Sequence, residues 1–140
     1  MPGPGKKNGI DYRGVLGYNH QKIQYFFRVV TITREALSNE GVRQMEQLLI
    51  IEDDIGLNQG LCKALKAENR QIISCQDLKT AREQLLFGGV SLILLDINLP
   101  DGSGLELLRE VRENTPAVPV ILLTANDTDL DIVDGLERGA

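Results

Sequence analysis

The sequence predicts an α/β protein built on a doubly wound parallel sheet, and three observations carry that expectation. Short runs of Leu, Ile and Val recur at Leu48-Leu49-Ile50-Ile51, Leu92-Ile93-Leu94-Leu95 and Val120-Ile121-Leu122-Leu123. Continuous apolar runs of this length read as strands buried on both faces of a parallel sheet. Helix-like segments separate them, and that alternation implies right-handed crossovers. Each run also ends in polar residues: Glu52-Asp53-Asp54, Asp96, and Thr124-Ala125-Asn126-Asp127. Ligands of open α/β sheets bind beyond the carboxyl ends of the strands, which makes these positions the candidate site.

The elements follow in order from Met45. A strand at about 47–51 precedes a helix at about 55–68, with Leu57, Leu61, Ala64 and Leu65 on one face. A less apolar strand, 71–75, leads to a helix over 78–87 that Asp77 caps and Gly88-Gly89 terminates. The third strand is 91–95. The loop Asn98-Leu99-Pro100-Asp101-Gly102-Ser103-Gly104 then enters a helix carrying Leu105, Leu108 and Val111 inward. Pro116 and Pro119 bracket the approach to the fourth strand, 118–123, and a last helix is expected over about 128–138. Four strands would leave the apolar fourth one at an edge, which native sheets usually cover.

The 140 residues allow one domain of ordinary size, and 42 % hydrophobic with 25 % charged residues is compatible with a packed core. The net charge of −5 hides an asymmetry: residues 1–44 hold seven basic against three acidic residues, and 45–140 hold eight against seventeen. The acidic portion is a poor surface for direct nucleic-acid contact. No stretch reaches the length of a membrane span, and a cytoplasmic location is expected. Cys62 and Cys75 match neither a redox pair nor a zinc site and read as small buried thiols. His20, the only histidine, has no partner cluster and reads as a solvated side chain.

Residues 1–44 differ from the rest. They open Met-Pro-Gly-Pro-Gly-Lys-Lys-Asn-Gly, contain a β-prone patch from Tyr25 to Thr33 and a short helix-like stretch from Arg34 to Leu37. The segment is expected to be a poorly ordered N-terminal extension. Glu40-Gly41 can be encoded by a ribosome-binding element placed before the codon for Met45, so 1–44 can be translated upstream sequence, with 45–140 as the domain proper.

The chemistry rests on carboxylates. Glu52 and Asp53 close the first strand and Asp96 the third, and adjacent parallel strands would bring them together. Like charges so close cannot all stay ionised unless a cation neutralises them. Mg²⁺, a hard ion that takes oxygen ligands and keeps several waters, is the natural occupant, ahead of Ca²⁺. Acids also follow strands simply because loops are polar, and one of Asp53 or Asp54 can serve only as a helix cap. Three strands ending alike favour the site.

The ordered set Leu48 to Asp54, Leu92 to Gly104 and Val120 to Ala125 resembles the receiver domain of two-component response regulators over about 46–140, a flavodoxin-like fold with strand order 2-1-3-4. The tail from Asp131 to Ala140 is similar to the fourth helix of receivers carrying winged-helix outputs that regulate transcription. The resemblance implies that Asp96 accepts phosphate from a sensor histidine kinase. It implies Mg²⁺ ligation by Asp53, by Glu52 mainly through water, by Asp96 and by the backbone carbonyl of Asn98. Thr124 would be the switch hydroxyl, Ala125 would leave the phosphoryl group room, and Pro100 and Gly104 would shape the loop. The full-length form would be a phosphoprotein of a phosphorelay, able to form a receiver homodimer.

Departures from the pattern are expected as well. No lysine follows Lys79, so the ammonium that pairs with the phosphoryl group is lacking, as are the fifth strand and final helix. The chain therefore reads as an incomplete receiver that catalyses at most its own phosphotransfer and dephosphorylation, with no membrane or nucleic-acid partner. The alternatives are an interaction fragment without phosphate signalling, and a Mg²⁺-dependent hydrolase with an aspartyl-phosphate intermediate. Asn98 argues against the hydrolase, because an acid-base aspartate is usual at that spacing from Asp96.

Overall fold

Alternation along the strands sets the architecture, because successive side chains of a strand point to opposite faces. The computed structural model describes residues 6–7, 10–11, 20–37, 45–123 and 131–133, and side chains within 24–37 and 45–123. The elements are β1 (Lys6–Lys7), β2 (Ile10–Asp11), α1 (His20–Leu37), β3 (Glu46–Ile51), α2 (Ile55–Ala64), β4 (Arg70–Cys75), α3 (Leu78–Phe87), β5 (Leu92–Asp96), β6 (Asn98–Leu99), β7 (Gly102–Ser103), α4 (Gly104–Asn114), β8 (Val120–Leu123) and β9 (Asp131–Val133). β1 and β2 form a small antiparallel pair.

The main sheet runs β4-β3-β5-β8-β9. Its first four strands are parallel and reproduce the expected order 2-1-3-4. Leu48, Ile50, Leu92, Leu94, Ile121 and Leu123 face one side, against α1, Leu61 of α2 and Leu65 just beyond its end. Leu49, Ile51, Ile93, Leu95, Val120 and Leu122 face the other, against Leu78 and Ala81 of α3 and Leu107 and Val111 of α4. The strands are therefore covered on both sides, which is why they lack polar alternation.

The structure corrects the sequence reading in three places. Residues 131–133, expected in a helix, form β9, which pairs antiparallel with β8 so that Val120 faces Val133. Ile132 and Val133 are β-branched and suit a strand, and β8 would otherwise leave its backbone groups open along an apolar edge. The sheet thus has five strands where four were expected; the remainder of the expected last helix lies outside the described residues.

The β-prone patch is instead the middle of α1. Phe26, Val29, Val30, Thr33 and Leu37 are buried at helical spacing, while Gln24, Arg28, Thr31, Arg34 and Glu35 are exposed. This 3.6-residue period outweighs the strand propensity of individual Phe, Val and Thr residues, since an apolar helix face gains more from burial than propensity costs. Arg34 donates to the carbonyl of Ala64 at 3.0 Å and so satisfies the C-terminal end of α2.

In α4, Leu107 is buried and Leu105, assigned inward from sequence, is 48 % exposed. The helix begins at Gly104, and that start sets its phase. Elsewhere the expected caps hold. Asp77 accepts from Thr80 N at 2.8 Å, and α3 stops at Gly88, whose φ of 74° a glycine adopts without strain.

Candidate metal centre

The parallel ladder pairs Ile51 with Leu95, so Glu52 and Asp96 are the next positions on neighbouring strands. One carboxylate oxygen from each of Glu52, Asp53 and Asp96 lies within 4.8 Å of the other two. Glu52 is 4 % exposed, Asp96 half-buried and Asp53 exposed, so the cluster opens from the sheet end toward solvent.

Electrostatics follow from that placement. Burial pushes the Glu52 carboxyl up to about 9, with the neighbouring Asp96 adding to the rise and the amide of Asp54, which donates to Glu52 Oε2 at 3.0 Å, opposing it. Burial also raises Asp96 above the usual carboxylate range, against the hydrogen bonds from Glu52 and from the Asn98 amide at 3.2 Å. Burial and crowding together favour a proton on Glu52 at neutral pH. This is the response expected of carboxylates crowded at a site suited to a cation.

The neighbouring acids divide their roles. Asp54 caps α2, accepting from Leu57 N at 3.0 Å, which leaves Asp53 free to face the cluster. The loop after β5 folds back as the β6–β7 hairpin, pairing Asn98 with Ser103. Gly104 N donates to Ile97 O at 2.6 Å. A Cβ on Gly104 would collide with the carbonyl oxygen of Asp96 and stand 3.1 Å from Ile97 Cα, so this loop closes on the end of β5 only with glycine there. Pro100 is exposed in the turn of the hairpin. Thr124 and Ala125 lie outside the described residues.

Two participants went unrecognised in the sequence. Asp101 accepts from Leu78 N at 2.9 Å and Lys79 N at 3.0 Å, tying the hairpin to the start of α3. Its spacing in a turn-rich loop gave no hint of that distant partner. Asn58, buried at 2 % exposure, bonds to the carbonyls of both Glu52 and Cys75. A signal existed for Asn58: it lies three residues before Leu61 and seven before Leu65, on the apolar face of α2.

Three carboxylates gather at the carboxyl end of a parallel sheet, with a glycine-closed loop beside them, an all-oxygen donor set of the kind that suits a hard cation. The chain belongs to the response regulator receiver domain family, whose sequence pattern matches residues 48–140. It is 40 % identical over 94 residues to the transcriptional regulatory protein BasR of Escherichia coli, covering 67 % of this chain and 42 % of that protein. It is 44 % identical over 97 residues to the transcriptional regulatory protein PmrA of Pectobacterium parmentieri, covering 67 % and 42 %. The chain thus spans less than half the length of these relatives. Among solved structures, the response regulator TrrA of Thermotoga maritima in complex with Mg²⁺ and beryllofluoride is similar with a TM-score of 0.54 and 30 % identity, over 59 % of this chain and 71 % of that one.

Proposed function

We propose that this receiver domain takes a phosphoryl group on Asp96 from a sensor histidine kinase, with Mg²⁺ held by Glu52, Asp53, Asp96 and the backbone carbonyl of Asn98. The convergence of three carboxylate oxygens within 4.8 Å supports the reading most directly. The donor set is all oxygen, and the raised carboxyls are relieved by a cation; both features suit a hard divalent ion. Bound Mg²⁺ supplies charge neutralisation for the carboxylates and the transferring phosphoryl oxygens.

A carboxylate oxygen of Asp96 attacks the phosphorus of the kinase phosphohistidine. The P–O bond forms as the P–N bond breaks, the bonding pair stays on the ring nitrogen, and the imidazole leaves neutral with the proton already on its other nitrogen. A bound cation would take the place of the Glu52 proton, and the Asn98 amide orients Asp96 through the 3.2 Å bond to Oδ1. Thr124 follows Leu123, the ladder partner of Asp96, and its hydroxyl is assigned to a phosphoryl oxygen, with Ala125 leaving room. Pro100 and Gly104 shape the loop. The domain is assigned to 45–140 and the extension to 1–44, the location to the cytoplasm, and the output to transcription, the activity named for the relatives. Among the described residues no helix is long and apolar enough to cross a membrane.

The test incubates the full chain with Mg²⁺ and acetyl phosphate and follows intact mass. One added phosphoryl group, stable in acid and labile in base, is expected, and Asp96→Asn abolishes it. A folded protein that forms no adduct would leave an interaction module without phosphate signalling. Continuous phosphate release from many esters would mean a hydrolase.

A further inference from the structure

The acidic turn Glu52–Asp54 must be held in place by something other than the sheet, because the parallel ladder ends at Ile51 and Cys75. The Glu52 amide is taken by the Cys75 carbonyl at 3.0 Å. The Glu52 carbonyl has passed the last ladder position and sits in a buried residue, where an unpaired acceptor is costly.

Asn58 meets that need. It stands one turn into α2, its own amide bonded to Asp54 O at 2.9 Å. Its Nδ2 donates to Glu52 O at 2.8 Å and to Cys75 O at 3.1 Å. Its Oδ1 accepts from Ser74 Oγ and, at 3.5 Å, from Cys62 Sγ. Both amide hydrogens and both acceptor positions are used, so the carboxamide has one orientation and no freedom. A single side chain thereby fastens the end of β3, the end of β4 and the first turn of α2 to one another.

We infer that Asn58 is a positioning residue for the metal centre: its carboxamide grips the Glu52 carbonyl and so fixes the direction in which the Glu52 and Asp53 carboxylates face Asp96. Asn58 does not touch the cation or the phosphoryl group. It acts through the backbone of a ligand, and outer partners of ligands commonly govern metal affinity by roughly 10- to 100-fold. The inference rests on the proposed Mg²⁺ site, and its test separates the two.

Mg²⁺ binding to the full chain is measured by isothermal titration for the parent and for Asp53→Asn, Asn58→Leu and Leu61→Ala. Leu61 is buried on the same helix within the apolar cluster of Leu48, Ile50 and Leu65, so its truncation reports what loss of stability alone does to affinity. The expected result is parent binding abolished by Asp53→Asn, weakened about tenfold by Asn58→Leu and unchanged within about twofold by Leu61→Ala. Where Asn58→Leu fails to fold, Asn58→Ser, too short to reach both carbonyls, is read the same way. Parent affinity retained in the folded Asn58 variant, or equal weakening by Leu61→Ala, overturns the role of Asn58 while leaving the metal site standing. A parent that binds no Mg²⁺ overturns the site reading, and the Asn58 inference with it.

Discussion

Glu52 and Asp96 face one another across the carboxyl ends of β3 and β5, and burial keeps a proton on Glu52 beside the Asp96 carboxylate. The folded state thus binds a proton that the unfolded chain releases at ordinary carboxylate pH. Stability from this proton is fully present below 4.5, the ordinary value for Glu52, and is lost as pH rises toward about 9. Urea midpoints in EDTA should therefore fall steadily across that window, and Glu52→Gln should flatten the fall. Mg²⁺ should remove the dependence by replacing the proton, raising stability by about 2.7 kcal/mol at a hundredfold excess over its dissociation constant. A midpoint in EDTA that climbs between neutral and alkaline pH would refute the buried proton.

Adjacent aspartates should separate cleanly. Asp54 closes the first turn of α2 through Leu57 N, so Asp54→Ala should cost about 1 kcal/mol of unfolding free energy with Mg²⁺ affinity nearly kept. Asp53 makes no such bond and belongs to the carboxylate cluster. Asp53→Ala should abolish Mg²⁺ binding, with stability in EDTA unchanged or slightly raised because a like charge is gone. Urea denaturation and metal titration on the two variants check both halves.

Gly104→Ala should damage the fold and the proposed phosphoryl transfer to Asp96 together. The added methyl meets backbone, the Asp96 carbonyl and Ile97 Cα, so no side-chain rotation relieves it. Overpacking of this kind costs typically 1–3 kcal/mol, and here the backbone forced to move carries Asp96, the proposed acceptor. A lower urea midpoint and slower adduct formation with acetyl phosphate are expected. Adduct formation at the parental rate would show that the loop can shift without disturbing Asp96.

Strand positions were legible because a sheet buried on both faces writes itself as unbroken Leu, Ile and Val, and register then follows from four strands of similar length. The carboxylates were legible because each ends such a run. Pairings made between distant loops were not: Asp101 reaches α3 across 23 positions, and nothing local marks the partner. In Tyr25 to Thr33 the residue types favour strand and the spacing favours helix, and spacing decided. At 131–133 the demand came from the open edge of β8, a tertiary fact that periodicity within the segment does not contain.

The last prediction concerns α1, whose Phe26, Val29 and Val30 pack with Leu48, Leu92 and Ile121 in one cluster. If that helix is part of the cooperative unit, Phe26→Ala should lower its stability by about 3–5 kcal/mol, as truncation of a buried aromatic does. Thr33 offers the opposite test on the same face. Its hydroxyl is buried with no hydrogen-bond partner among the described residues, so the isosteric Thr33→Val exchanges an unsatisfied group for a methyl. A gain of about 1 kcal/mol is expected. Urea denaturation followed by far-ultraviolet circular dichroism reads both. Unchanged midpoints in both variants would show α1 to be a detachable segment lying outside the folding unit, and the sheet face beneath it would then be free for another helix.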